Sequence, residues 1–196
     1  MKLNLPNKLS ILRICFIPFV MFFYLQNFWV WGKVVALVLF ILAILTDMLD
    51  GKIARKYNMV TDLGKLLDTN ADKILILAGL LLVVVDGTLP NPYGVITAIL
   101  ILGRDMVISA FRQIAASKNY VMAADMLGKI KATVIDIAVS MLMLLAFFVD
   151  YGVNQTFVNV YAIVCYVAMG VGVVLNILSM LNYMIKNKDV IKEDNN

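Results

Sequence analysis

Residues 34–85 read VVALVLFILAILTDMLDGKIARKYNMVTDLGKLLDTNADKILILAGLLLVVV, two apolar runs of helical length on either side of a polar centre. This pattern describes two membrane-spanning helices that meet at one face of a bilayer. Backbone groups in lipid must be satisfied within their own segment, and neither run has the period-two alternation of a barrel strand. In the polar centre Asp47 and Asp50 are three apart and Asp68 and Asp72 four apart, so on two helices each pair projects from one face. Gly51 and Ala54 continue the first face, and Gly64 lies one turn before Asp68 on the second. Small residues therefore flank the acids, where a bulky ligand can approach.

If the two helix ends face each other, the carboxylates converge, and each pair about 6 Å apart repels by roughly 3 kcal/mol at an effective dielectric near 20. Such a cluster calls for cations, and hard divalent ions such as Mg²⁺ or Mn²⁺ suit an all-oxygen set. Two ions would offset most of the repulsion. The plainer reading is an interfacial face salt-bridged to Lys52, Lys56, Lys65 and Lys73, but it does not account for matched spacing on both helices. The chain has no histidine, which excludes a histidine base, a histidine metal ligand and a Ser-His-Asp arrangement and leaves a carboxylate or lysine as general base. Cys15 and Cys165 sit in separate apolar runs without pairing or ligand spacing and read as packing residues.

With 62% of its 196 residues hydrophobic and 15% charged, the chain lies far outside the composition of a water-soluble globular domain. The expected fold is all-α, a polytopic membrane protein with six transmembrane helices over about 14–25, 34–56, 63–85, 93–116, 128–149 and 154–184. The first helix starts near Asn7 or Ser10. It reads as a retained span, because no small-x-small cleavage site follows the run and the aromatic residues after Asn27 suit an interface. Residues 1–185 form one membrane domain and 186–196 a polar tail. Of the seventeen Lys and Arg, Lys33 alone falls on the side away from the acids, which puts the acids and both termini in the cytoplasm. The net charge of +4 then reflects topology and attraction to anionic lipid heads, with no sign of nucleic-acid binding.

The fourth run is interrupted by Arg104, Asp105 and Arg112, and the fifth opens with Lys129 and Lys131 and carries Asp136 two turns in. Arg104 is offset from Arg112 by roughly 80° on an ideal helix. Four cations against two acids leave a positive surplus that suits a phosphate-bearing ligand.

The pattern Asp47-x-x-Asp50-Gly51-x-x-Ala54-Arg55 followed by Gly64-x-x-x-Asp68-x-x-x-Asp72 resembles the signature of the CDP-alcohol phosphotransferases, and every defining position is present. The opening Pro6-Asn7-x-Leu9-Ser10-x-x-Arg13, Arg104-Asp105, Arg112 and the Leu127-Gly128-Lys129-Ile130-Lys131 segment are similar to the bacterial branch that makes phosphatidylglycerophosphate. The resemblance implies transfer of a phosphatidyl group from CDP-diacylglycerol to sn-glycerol 3-phosphate with release of CMP, in the plasma membrane of a bacterium, by a homodimer. It implies Mg²⁺ or Mn²⁺, two ions, on Asp47, Asp50 and Asp68, with Asp72 as general base and ligand to the second ion. The nucleotide would be bordered by Asn7, Ser10, Asp47, Asp50, Gly51, Ala54, Arg55 and Gly64. The acceptor phosphate would be met by Arg104, Arg112, Lys129 and Lys131. Thr69 stands where proline usually follows the third acid, and Ala132 where threonine usually follows the second lysine. The same chemistry with inositol phosphate, serine or phosphatidylglycerol as acceptor is the nearest alternative. A cation transporter or channel is the alternative from another class, and it leaves Gly51-x-x-Ala54-Arg55 and Gly64 without a role.

Overall fold

A computed structural model describes residues 5–26, 28–56, 62–117 and 126–187; at 5–9, 47–56, 62, 63, 65–69, 116 and 117 the description covers backbone alone. Over these residues the chain is all-helical, with α1 (Leu5–Leu25), α2 (Gly32–Lys56), α3 (Asp62–Val85), α4 (Tyr93–Ser117), α5 (Met126–Tyr151) and α6 (Gln155–Lys186). The helices are 21 to 32 residues long. At 1.5 Å per residue they extend about 32 to 48 Å, against a hydrocarbon core of about 30 Å. Tyr93–Ala115, Met126–Tyr151 and Gln155–Lys186 are long and apolar enough to cross a membrane, and Ser10–Leu25 and Gly32–Thr46 are shorter apolar stretches.

Five helices begin and end close to the positions read from the apolar runs. The first differs: α1 starts at Leu5, before Asn7 and Ser10, which puts Pro6 in the first turn, where its missing N–H is no loss. Asn154 caps α6, its side-chain oxygen accepting from the amide of Thr156 at 2.9 Å.

Helix α3 touches α1, α2, α4 and α5, while α6 packs against α4 and α5. The main core takes residues from every helix: Val20 and Tyr24 of α1, Ala36 and Phe40 of α2, Leu75 and Leu80 of α3, Ile101 of α4, Ile135, Val139 and Leu142 of α5, and Cys165 and Met169 of α6. A smaller cluster, Ile108, Phe111 and Ala115 with Tyr183, joins α4 to α6. Gly79 allows α3 to close on its neighbours, since a Cβ there would stand 2.8 Å from both the Phe40 ring and Val139. Of two glycines in α6, Gly172 lies against Ile135 of α5 and Gly170 faces open space. Cys165 is in the core, whereas Cys15 is exposed and packs no interior. Outward positions of α6 such as Val160, Ile163, Val167, Val174 and Leu181 are exposed and apolar, a surface suited to lipid.

One end of the bundle is tied by Asp86, in the turn after α3. Its carboxylate accepts from the Tyr24 hydroxyl at 2.7 Å, from Lys33 at 3.0 Å, from the Thr88 amide at 2.9 Å and from the Thr88 hydroxyl. Lys33 also pairs with Asp150 at the end of α5 at 2.8 Å, and the Tyr166 hydroxyl of α6 donates to the Thr88 carbonyl at 3.0 Å. Trp31, just before α2, packs on Phe147 and Tyr151 of α5. Since α2 and α6 start and α1, α3 and α5 finish here, the acids of α2 and α3 stand at the opposite end.

Burial pushes the Asp86 carboxyl up, but hydrogen bonds from Thr88, Tyr24 and Lys33 outweigh it and hold the group below its ordinary value. A depressed folded-state pKa adds stability above the unfolded value, near 3.9, that is lost as pH falls through the folded one. Asp86→Asn is therefore expected to lower the unfolding temperature in detergent at pH 7, by the equivalent of about 1–3 kcal/mol. The gap from wild type should narrow at about pH 3 and below. Equal gaps at both pH values would rule out the carboxylate charge as the source.

Candidate active site

Asp47 and Asp50 lie on the helical backbone of α2, and Asp68 and Asp72 on that of α3, so each pair keeps the spacing that puts it on one helix face. The side chains of Asn7, Asp47, Asp50, Gly51, Ala54, Arg55 and Asp68 lie outside the described residues. Gly64 and Asp72 are described, and both are half-buried. Two helices in contact bring the four aspartate positions to the same end of the bundle, and carboxylate oxygen is the kind of ligand that hard divalent ions take. Ser10 and Arg13, in the second and third turns of α1, are both buried.

Next to these acids stands a polar cluster with α4 at its centre. Asp105 accepts from Arg104 Nη1 at 2.9 Å and from Lys131 Nζ of α5 at 2.7 Å. Lys131 is 5% exposed, and a buried ammonium in apolar surroundings needs such a partner. It is also within electrostatic reach of Asp72 of α3. Arg104 Nη2 donates to Ser179 Oγ of α6 at 2.7 Å. Arg112 Nε donates to the Tyr183 hydroxyl at 3.0 Å, with its guanidinium 5.4 Å from the centre of that ring. Tyr183 in turn meets Phe111 edge-on. Lys73, the residue after Asp72, donates to Ser109 of α4 at 2.5 Å, and Ser109 donates to the Asp105 carbonyl. Arg104 and Lys131 both pair with Asp105, two cations on one carboxylate, and Arg112 stands on Tyr183 one helix turn further along α6, so this group keeps a positive surplus.

The expected basic residues divide. Arg104 and Lys131 meet at Asp105 and Arg112 reaches Tyr183 of α6, while Lys129 is exposed; residues two apart on a helix point about 200° from each other, so Lys131 turns inward and Lys129 outward. Despite their 80° offset, Arg104 and Arg112 both reach α6, because the long side chains make up the angle. Asp136 is half-buried in α5. The residues that sequence reading missed are on α6: Asn176, Ser179 and Tyr183 are all buried. Asn176 donates to the Leu100 carbonyl of α4 at 3.1 Å. Their spacing of i, i+3 and i+7 was the available signal, a polar stripe on one face of an otherwise apolar helix.

The chain belongs to the CDP-alcohol phosphatidyltransferase family, whose model matches residues 3–185. It is similar to the CDP-diacylglycerol–glycerol-3-phosphate 3-phosphatidyltransferase of Bacillus subtilis (strain 168), at 35% identity over 98% of this chain and 99% of that protein. It is 30% identical to the protein of that name from Wigglesworthia glossinidia brevipalpis, over 93% and 94% of the two chains. With the protein of that name from Rickettsia felis it shares 37% identity over 72% of this chain and 75% of the other.

Removing one member of a buried ion pair leaves the other uncompensated, a loss of about 3–5 kcal/mol. Asp105→Asn is expected to lower thermal stability in detergent by about 3 kcal/mol, and the double variant Asp105→Asn, Lys131→Met to recover part of it. A single variant that unfolds at the wild-type temperature would show that this carboxylate does not hold the cluster.

Proposed function

We propose that this protein transfers the phosphatidyl group of CDP-diacylglycerol to sn-glycerol 3-phosphate, forming phosphatidylglycerophosphate and CMP in phospholipid biosynthesis. Family membership and the names of relatives similar over nearly the whole chain support the reaction class. One observation favours a phosphate-bearing acceptor: Lys73, the residue after Asp72, donates to Ser109 of α4, which donates to the carbonyl of Asp105, so the cationic cluster adjoins the acid-bearing end of α3.

In this reading six helices span the plasma membrane of a bacterium, with the acids of α2 and α3 and both termini in the cytoplasm, as the distribution of Lys and Arg favours. Residues 1–185 act as one membrane domain, 186–196 as a polar tail, and the working unit is a homodimer. Asp47, Asp50, Asp68 and Asp72 hold Mg²⁺ or Mn²⁺, two ions, which when bound neutralise charge on the diphosphate. Asn7, Ser10, Gly51, Ala54 and Gly64 border the nucleotide together with Asp47 and Asp50, and Arg55 contacts its phosphates. Arg104, Arg112 and Lys131 bind the acceptor phosphate, and Lys129, exposed near the mouth of the site, attracts it. Asp72 takes the proton of the acceptor hydroxyl as its oxygen bonds to the phosphatidyl phosphorus. The phosphoanhydride bond breaks, and its electron pair leaves with CMP. The apolar outer faces let the acyl chains stay in the bilayer while a water-soluble acceptor arrives from the cytoplasm.

The purified protein with CDP-diacylglycerol, Mg²⁺ and sn-glycerol 3-phosphate is expected to release CMP. Release should stop with a chelator and return with Mg²⁺. Asp72→Asn should reduce kcat by about 100-fold or more, the usual contribution of a positioned base. Release only with inositol phosphate, serine or phosphatidylglycerol would keep the chemistry and replace the acceptor. No release with any acceptor would reject the reading.

A further inference from the structure

We infer that α6 completes the acceptor-phosphate site: Ser179 and Tyr183 are positioning residues that aim Arg104 and Arg112 at one phosphate, and Gly128 keeps open the space that phosphate takes. This rests on the function proposed above and adds to it residues that neither the signature nor the cationic pattern contains.

On α4 the two arginines are eight residues apart, about 12 Å along the helix axis. Their anchors on α6 are four residues apart, about 6 Å. The guanidinium of Arg104, held at Ser179 at 2.7 Å, and that of Arg112, held at Tyr183 at 3.0 Å, are thus drawn towards each other by the helix they cross. The anchors are also neutral. A carboxylate on α6 would hold the arginines as firmly but cancel their charge, whereas a serine and a tyrosine hydroxyl fix direction and leave the cations available to a dianion.

Two further observations place the ligand. Arg104 has its Nη1 on Asp105 and its Nη2 on Ser179, yet its buried Nε–H has no hydrogen-bond partner among the described residues. Its side chain is 10% exposed, and a buried donor of this kind is rarely left unmet. A Cβ on Gly128, at the start of α5, would stand 3.8 Å from Arg104 Nη2 and 3.7 Å from Ser179 Oγ. Those are ordinary contact distances, so alanine fits there without displacing the helix and fills the space facing the arginine and the serine.

The test measures CMP release by wild type, Ser179→Ala, Ser179→Thr, Tyr183→Phe and Gly128→Ala, varying each substrate while the other is saturating, with thermal unfolding in parallel. Tyr183→Phe keeps the ring against Phe111 and beneath Arg112 and removes the hydroxyl alone. Ser179→Ala, Tyr183→Phe and Gly128→Ala should each raise the KM for sn-glycerol 3-phosphate about tenfold, the size of one charge-assisted hydrogen bond. The kcat should stay within about threefold and the KM for CDP-diacylglycerol should hold, as expected of a lost ground-state contact. Ser179→Thr, which restores a hydroxyl, should recover most of the loss. An unchanged acceptor KM overturns the inference, as do equal rises for both substrates or a fall in kcat that follows lost thermal stability. Wild type that releases no CMP with sn-glycerol 3-phosphate removes the proposed function and this inference with it. Wild-type activity with unaffected variants removes the inference alone.

Discussion

The carboxylate of Asp105 joins three helices at the end of the bundle where the acids of α2 and α3 lie. It receives Lys131 from α5, sits beside Arg104, and through that arginine reaches Ser179 of α6. Charge among apolar helices is tolerated when it is paired and hydrogen-bonded, so the positions of these cations are set by where Asp105 can meet them. An Arg-Asp-Lys group with one negative member is held together and still carries net positive charge. That combination, rigid and unneutralised, is what binding of a phosphate requires.

The opposite end is built differently. There Asp86 faces Lys33, Tyr24 and Thr88, and Lys33 is shared with Asp150, so one ammonium serves two carboxylates and no cation is left in surplus. Ties from the ends of α1, α3 and α5 to the starts of α2 and α6 close this end as structure. Between the two ends, α3 supplies the physical link, with Leu75, Leu80 and Gly79 in the core and Asp72 and Lys73 at the polar end. Among the described residues, the bundle is tied at one end by Asp86 and its partners and carries the Arg-Asp-Lys group at the other.

Residues that carry their meaning in spacing were readable from the chain. The pairs Asp47 with Asp50 and Asp68 with Asp72 fall on helices as their intervals require, and the bounds of α2 to α6 follow where apolar runs give way to polar residues. Less legible was the division between Lys129 and Lys131, because two residues apart on a helix means opposite directions, and which one faces inward depends on the neighbours of α5. Asn176, Ser179 and Tyr183 were overlooked for a related reason: single hydroxyls and amides scarcely alter the hydropathy of a long helix, and their importance lies in what α4 presents to them.

By itself, then, the sequence determined an all-helical chain, the positions of its helices and the family to which its aspartates assign it. These follow from local physics, since backbone hydrogen bonds close within each helix and the period of the helix places residues three or four apart on one face. Only the tertiary structure decided that Arg104 and Arg112 converge on α6, that Lys131 rather than Lys129 turns inward, and that Asp86 ties the far end. Those are contacts between helices distant in sequence, such as Arg104 with Ser179 and Tyr24 with Asp86, and their partners are chosen by packing angles and side-chain reach that no local pattern encodes.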